Sequence, residues 1–566
     1  MRKKIYLLSI LIILSLTFSS CIIKYGRIEI NSEPQGAKMY LNGEDTGRLT
    51  PCVLEKIEFG EYEIVLKKFG FKDTKLDVKV DKRAILLNLT LSPLFSTLDI
   101  DSEPKWAMVF IDDFDTNKLT PCTIENISYS KHKINLYKTP YKPIEEEILV
   151  NNEKMSFHFK LQKIPLKESE KYLKDCYYPI IDGDYLYSID KEYKLKKIDL
   201  KNYKLVRKWN LRNFIKVNNF LSLKPIKIYG DHFYFEYWIE KTYQPPKGSD
   251  LTLEDRIPIG YFTCFNLINE KIIWEKTINI VNEKCLDYWW NFLSAMKMGE
   301  EDPFTFATVD DKYAFIGQLE FTCKEVDSSL SIYDIYKRHF LILDRFTGEI
   351  LKKFDENYSL FCGDPFYYDN KVYVRTKDKL YAYDLNKLEK IYEIPLSDKV
   401  LGKTIIGDKD VLILDRGGLN ITSITSINRN NGDFLWTLSG YNKFLFGDYV
   451  YYIDEKSQSG YNGFNIVCSD KIKGEKIWLL QFPDVNNSLR ILGISKNFLF
   501  TKQTIYYPKQ KNQISYYICY DRNTKEALWY YSLSSTEYIY EELIFQNNKL
   551  FLVSPSQGLI TIFNLN

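Results

Sequence analysis

The chain has 566 residues, too many for one hydrophobic core and enough for about two to four domains. Its 77 Lys and Arg nearly balance its 75 Asp and Glu, leaving a formal net charge of +2. With no dense basic stretch and no acidic tail, the sequence lacks the electrostatic footprint of a nucleic-acid-binding protein, and nucleic acid is not an expected partner.

The N-terminus opens with Arg2, Lys3 and Lys4, continues through an apolar run from Ile5 to Leu16, and reaches Cys21 through Phe18-Ser19-Ser20. A basic start, a short apolar run and small residues before a cut are the marks of an export signal. The run is shorter than the roughly 20 residues of a comfortable membrane span, and no later stretch could span one. Small-small-Cys at this place resembles the lipobox of bacterial lipoproteins, with Phe18 where Leu is commoner. The resemblance implies a signal over 1–20, an acylated Cys21 and a membrane-lipid partner, followed by a linker over 21–26. An ordinary cleaved signal with an incidental Cys21 is the alternative.

A repeat fills the next part of the chain. Ser32-Glu33-Pro34-Gln35-Gly36-Ala37 recurs as Ser102-Glu103-Pro104-Lys105-Trp106-Ala107, and Leu49-Thr50-Pro51-Cys52 as Leu119-Thr120-Pro121-Cys122. Lys38 to Leu41 is strand-like and runs into Asn42-Gly43, a pair suited to the positive φ of a tight hairpin. Glu61 to Leu66 and Ala84 to Leu91 are further strands rich in branched and aromatic residues. Each unit reads as a small all-β domain near the lower size limit for an independent core. The run S-x-P-x-G-A, then Asn-Gly, Gly47 and Thr50-Pro51, resembles the PEGA domain, an extracytoplasmic accessory module. The resemblance implies sandwich-like domains over 27–93 and, in diverged form, 95–163, with binding rather than catalysis as their role. In the second unit Gly36, Gly43, Gly47 and Gly60 give way to Trp106, Asp113, Asn117 and Ser130, so its turns are expected to be rebuilt.

From residue 165 onward a different period takes over. Asp521 to Trp529 sets its pattern, and Asn266 to Trp274, Asn428 to Trp436 and Asp470 to Trp478 keep the same step from Asp or Asn to Trp. Asp344 and Asp384 keep the frame without the Trp, Asp199 is followed by a late Trp209, and Asn564 begins an eighth turn. An Asp or Asn carboxyl or amide oxygen can close a turn on amides two or three residues on. Gly348, Gly432 and Gly474 can take the positive φ that follows, and the Trp can pack on a neighbouring sheet. About four strands per repeat is the pattern of propeller blades. Asp344-Arg345-Phe346-Thr347-Gly348-Glu349 resembles the repeat of pyrroloquinoline quinone (PQQ)-type propellers, a superfamily with both quinone dehydrogenases and cofactor-free scaffolds. The expected fold is therefore all-β, with two small sandwich-like domains and a propeller of eight blades, seven being the alternative. A strand before Tyr177 must close an eight-bladed ring, yet Ser169 to Lys174 is a poor strand sequence.

Two insertions interrupt the repeat, one around Tyr243 to Gly248 and one from Glu283 to Phe304, read as a short helix. Insertions on a repetitive scaffold gather partner contacts, and Tyr and Trp are favoured anchors. Tyr288, Trp289 and Trp290 are accordingly the candidate contacts for an envelope protein or a surface glycan.

No enzymatic constellation is recognisable. The chain has no adjacent Cys pair of the quinone-dehydrogenase kind, no C-x-x-C, no G-x-S-x-G and no H-E-x-x-H. Asp112, Asp113 and Asp115 fall on a hairpin turn, and Cys264, Cys468 and Cys519 lie in apolar strand-like runs as small core residues. The expectation is a lipid-anchored, non-catalytic envelope scaffold without a cofactor or metal, the alternative being a cell-surface carbohydrate-binding or carbohydrate-active protein.

Overall fold

The computed structural model describes residues 24–565 apart from 216–219, 244–254, 282–305, 322–335, 356–364, 377, 397–404, 419–420, 459–460, 486–487, 508–511, 535–541, 547 and 555–556. The chain divides into two units, one ending at Lys163 and the other beginning at Ile164. The signal segment and Cys21 lie outside the described residues, as do Tyr288, Trp289 and Trp290.

The first unit contains the same small sandwich twice. In the first copy Tyr25–Glu33 pairs antiparallel with Cys52–Glu58 and parallel with Ala84–Thr90. A second sheet is built from Glu44–Leu49, Lys38–Leu41, Gly60–Lys67 and Thr74–Val80. Alternate residues of each sheet point inward, so Ile28, Ile30, Met39, Ile64, Leu66 and Val80 form one core. The second copy repeats this topology, with Leu98, Ile100, Val109, Ile134, Leu136 and Val150 at the matching places.

The second copy's turns are retained, contrary to expectation. Trp106, Asp113 and Asn117 keep the positive φ of Gly36, Gly43 and Gly47, at 66°, 65° and 55°. Hydrogen bonds compensate part of the strain. Asn117 N–H donates to Asp115 Oδ1 (2.7 Å) and Asn135 Nδ2 donates to Asp113 Oδ1 (2.8 Å). Asp and Asn tolerate the left-handed region through such local bonds.

Among the described residues the second unit comprises eight four-stranded sheets, each a meander ordered first to fourth strand in chain order with two departures. Blades 1 to 8 span Tyr177–Asn210, Phe220–Thr277, Phe306–Phe354, Phe366–Pro395, Ile405–Ser439, Tyr441–Phe482, Ser488–Ser534 and Glu542–Asn564. Blade 3 gains a short parallel strand, Asn279–Val281, along its second strand Tyr313–Phe321. Blade 8 takes its outer strand from Lys171–Leu173, paired antiparallel with Leu559–Asn564.

Alternate residues in each blade face opposite neighbours. Leu550 and Leu552 pack on blade 7 around Phe500 and Cys519, whereas Phe551 and Val553 pack on blade 1 around Leu186 and Ile198. The other cores join blade 1 to 2 through Trp209 and Phe233, 2 to 3 through Cys264 and Leu341, and 3 to 4 through Phe340 and Tyr383. Blades 4 and 5 meet at Tyr373 and Leu412, 5 and 6 at Ile413 and Val467, and 6 and 7 at Cys468 and Ile518. Every blade thus shares one core with each neighbour, and the sequence of cores returns to its start. The ring has eight blades.

The closing strand is short, and a lysine reinforces it. Lys549 Nζ donates to the Leu200 carbonyl (3.2 Å), bonds Tyr203 Oη and lies 3.3 Å from Glu170, so one ammonium ties blade 8, blade 1 and the closing segment together. Lys549→Met should therefore lower the unfolding midpoint in urea, by about 1–2 kcal/mol for charge-assisted bonds at a partly buried site. An unchanged midpoint would show that the closure does not depend on this residue.

Candidate functional site

The Asp and Asn residues of the propeller repeat from Asp199 to Asp521 open turns between third and fourth strands, whereas Asn564 ends the third strand of blade 8, whose fourth strand is Lys171–Leu173. Asp344 Oδ1 accepts from Phe346 N–H (2.9 Å) and Thr347 N–H (2.8 Å), and Gly348 N–H donates to the Asp344 carbonyl (2.9 Å). The same bonds to the second and third amides recur at Asn266, Asp470 and Asp521, and Asn428 receives that of Asn430. Turn hydrogen bonds hold the Asp521 carboxyl below the usual carboxylate range, the amide of Thr524 foremost.

Next to each turn sits the neighbouring blade's aromatic. Trp274 Nε1–H donates to the Arg345 carbonyl (2.8 Å) and Trp436 Nε1–H to that of Lys471 (3.0 Å). Trp209 likewise reaches Leu267 (3.0 Å), and Tyr392 Oη reaches Arg429 (2.8 Å). The accepting carbonyl always follows the turn-opening Asp or Asn. Where Lys352 replaces the aromatic, Tyr313 Oη of the second strand donates to the Leu385 carbonyl instead (3.2 Å). Trp478 has Lys525 over its ring at 5.5 Å, and Trp529 stacks on Phe563. The repeat residues therefore act between blades, as latches.

Sequence reasoning missed the residues beside these anchors. At three turns the side chain following the turn-opening residue extends to the preceding blade: Arg345 stacks on Tyr229 at 4.5 Å, Arg429 on Tyr368 at 4.8 Å and Arg522 on Phe446 at 4.6 Å. Lys471 takes the corresponding place against Asp408 (2.7 Å) and Asp410 (2.8 Å) of blade 5 and lies 3.4 Å from Asp448. Burial opposes the Lys471 charge, but its bonds to Asp408 and Asp410 outweigh burial and raise its pKa. A basic residue directly after Asp344, Asn428, Asp470 and Asp521 was the available signal, and it reads as an exposed turn until the neighbouring blade is in place.

In the small domains the shared motif forms a buried clasp. Ser32 Oγ lies 2.5 Å from Thr50 Oγ1 and donates to the Pro34 carbonyl, while Ala37 N–H donates to Thr50 Oγ1 (3.0 Å). Ser102, Thr120, Pro104 and Ala107 repeat it.

The second domain adds a hydrogen-bonded Ser–His–Asp set. Ser130 Oγ lies 2.8 Å from His132 Nε2, and His132 Nδ1 lies 2.7 Å from Asp112 Oδ2. However, Nε2 also faces the Ser128 carbonyl oxygen at 2.9 Å, a contact that requires a proton on the nitrogen a general base would need free. In the first domain Tyr62 Oη makes the matching bond to the Glu58 carbonyl. His132 is thus a hairpin clasp. Burial works against the Asp112 charge, but the Lys133 amide and His132 outweigh it and keep the carboxyl below its ordinary range.

The outward face of the second domain's three-stranded sheet holds an open depression of about 430 Å³, lined by Asp99, Asp101, Thr123, Ser156 and His158 among others. Thr123 Oγ1 donates to Asp99 (2.7 Å), Lys154 lies 3.0 Å from Asp99, and His158 lies 3.4 Å from Asp101. Trp106, near this sheet's end, is 69 % exposed despite its left-handed backbone.

Residues 25–94 and 95–165 each match the PEGA domain. The two small modules are PEGA domains. No curated protein matches the chain. Among solved structures, the chain is similar to the computationally designed protein Ika8, at 10 % identity and TM-score 0.44, over 70 % of this chain and 98 % of that one. It is also similar to BamB from Moraxella catarrhalis (12 %, 0.32, 68 % and 80 %). A third match is the quinohemoprotein alcohol dehydrogenase ADHIIG from Pseudomonas putida HK5 (9 %, 0.38, 71 % and 76 %). Likenesses this remote assign no activity. The PEGA modules point to an extracytoplasmic protein, and no helix among the described residues is long and apolar enough to cross a membrane.

The cysteines of the strands are packing residues. Cys264, Cys468 and Cys519 are buried, and burial pushes the thiols of Cys264 and Cys468 up to about 11 and that of Cys519 further still.

Proposed function

We propose that this chain is an exported, lipid-anchored, non-catalytic scaffold that binds other envelope components through one end of its propeller, with Cys21 as the acylated anchor and the PEGA domains as spacer or accessory binding units. The observation that supports this most is the difference between the propeller's two ends. Antiparallel meander topology puts the Asp/Asn turns and the first-to-second-strand hairpins at one end, where side chains close turns and latch blades. At the other end emerge the connections between strands two and three and from blade to blade. Six of these are long: Asn210 to Phe220, Tyr243 to Asp255, Val281 to Phe306, Phe321 to Tyr336, Phe354 to Phe366 and Pro395 to Ile405. The strand ends they join belong to blades 1 to 5, and loops on a rigid scaffold are where binding residues gather.

Tyr288, Trp289 and Trp290 fall in one of these connections. Replacing all three by Ala should weaken capture of the partner by about 30-fold or more, as expected when an anchor worth about 2 kcal/mol is removed. The test is cross-linking of the anchored chain in its own envelope, followed by mass spectrometry of what it retains. Recovery of the same proteins with the triple variant would contradict the assignment. A surface glycan is the alternative ligand, favoured by the polar depression on the second PEGA domain; recovery of glycan alone, lost in Asp101→Ala, would replace the protein-binding reading.

A further inference from the structure

One end of the PEGA sandwich is closed by the same hydrogen bonds in both copies. In the first domain Arg27 N–H donates to the Arg83 carbonyl (3.0 Å) and Phe59 N–H to that of Lys24 (2.8 Å). In the second, Thr97 N–H donates to the Glu153 carbonyl (2.9 Å) and Tyr129 N–H to that of Leu94 (3.1 Å). The side chains at this end can therefore be compared position by position.

They differ in charge. Lys24, Arg27, Lys79, Lys82 and Arg83 are all exposed in the first domain. A Cβ on Gly26 would lie 2.6 Å from the Lys82 carbonyl oxygen, so the turn carrying Lys82 and Arg83 sits against the first strand. At the matching positions the second domain has Leu94, Thr97, Leu149, Asn152 and Glu153. Three carboxylates, Glu58, Glu61 and Asp81, stand beside the five cations and leave these positions at +2. Their counterparts sum to zero, with Lys131 against Glu153. Among the described residues the ion pairs of the first domain join Lys67 to Asp73 and Lys75 to Glu63, so none of the five cations is held by a carboxylate.

The surroundings differ as well. In the second domain this end abuts the first: Leu94 N–H donates to the Gly70 carbonyl (2.8 Å), and a Cβ on Gly70 would lie 2.5 Å from the Tyr129 carbonyl oxygen. In the first domain the chain at this end runs to Cys21 through Ile22 and Ile23 alone. Three residue steps reach at most about 11 Å, close to the roughly 8–10 Å over which charges act at physiological salt.

We propose that this end of the first PEGA domain is a headgroup-binding face, on which Lys24, Arg27, Lys79, Lys82 and Arg83 dock the domain on anionic phospholipid of the membrane that holds Cys21. The inference rests on the acylated-anchor reading. The acyl chains attach the protein, and the basic face is the second signal that sets which end of the domain meets the leaflet. Each Lys or Arg near an anionic surface favours the docked state about fivefold.

The test uses the full chain purified from its own envelope with its anchor. It is placed in vesicles of phosphatidylcholine alone, or of phosphatidylcholine with a minority of phosphatidylglycerol. Flotation with both kinds checks the anchor by itself. Acetylation of Lys24, Lys79 and Lys82, read by mass spectrometry, should be about tenfold slower on the anionic vesicles, and high salt should abolish the difference. Lys105, exposed in the second domain, should react equally on both. Lys82→Asn with Arg83→Glu brings in the residues the second domain carries at this turn and so should fold; it should float as before but lose the protection of Lys24. Equal rates on the two kinds of vesicle in a chain that floats would overturn the proposal and leave the anchor standing. So would protection of Lys24 that persists in the double variant, or protection found in the native envelope but not on anionic vesicles, which would assign the face to a protein. A chain that floats with neither kind contradicts the anchor, and the proposal falls with it.

Discussion

Lys471→Met should destabilise the propeller by about 2–3 kcal/mol, seen as a lower denaturant midpoint at unchanged slope. Lys471 is 4 % exposed and its ammonium is shared by Asp408 and Asp410 of blade 5. Truncating one member of a buried ion pair costs about 3–5 kcal/mol, because the partner stays charged without compensation. The figure is reduced here because Asp408 and Asp410 keep contact with solvent, their side chains being 23 % and 39 % exposed. Asp408 also closes its own hairpin, with Oδ1 accepting from Asp410 N–H (2.8 Å) and Val411 N–H (3.1 Å). Neutralising Asp408 and Asp410 in the Lys471→Met background should thus restore part of the loss, since two carboxylates would no longer face each other unpaired. No recovery would mean the cost is packing and not charge.

Gly348→Ala carries the second large effect, about 2–4 kcal/mol. Gly348 has φ of +70°, and an added Cβ would sit 2.4 Å from Trp274 Cγ, whose ring is itself fixed by its bond to Arg345. Backbone strain contributes about 1 kcal/mol and the overlap about 1–3 kcal/mol. Gly447→Ala separates the two terms, for Gly447 also has positive φ (+61°) but an added Cβ would meet nothing within 4 Å. It should cost about 1 kcal/mol. Equal losses at the two positions would show that the Trp latch is loose enough to yield.

The propeller was legible because most blade boundaries combine an Asx turn with an aromatic at a fixed step, with a glycine at Gly348, Gly432 and Gly474, and these are local in sequence. Blade 8 was the weak point. Its outer strand, Lys171–Leu173, shows little alternation because only three residues pair and Tyr172 alone of them joins the core with blade 7. Long-range pairing with Leu559–Asn564 decides it, which local pattern cannot reveal. The second PEGA domain misled in another way. Glycine loss suggested new turns, whereas Trp106, Asp113 and Asn117 hold the old ones under strain because the sandwich core on both sides fixes the chain path.

The site was harder to read. The stacks of Arg345, Arg429 and Arg522 and the Lys471 triad join residues far apart in sequence, and each looks like ordinary turn polarity taken alone. The candidate contacts Tyr288, Trp289 and Trp290 lie outside the described residues and rest on sequence.

Ring closure is where the account is most exposed, because a stable platform for the long connections requires that blade 8 be completed from the other end of the unit. Amide exchange in the full chain across Lys171–Leu173 and Leu559–Asn564 tests it directly. A closed ring predicts that the two segments share one opening event, with protection comparable to that of the first and second strands of the other blades. Lys171–Leu173 exchanging as free chain while Leu559–Asn564 stays protected would contradict it.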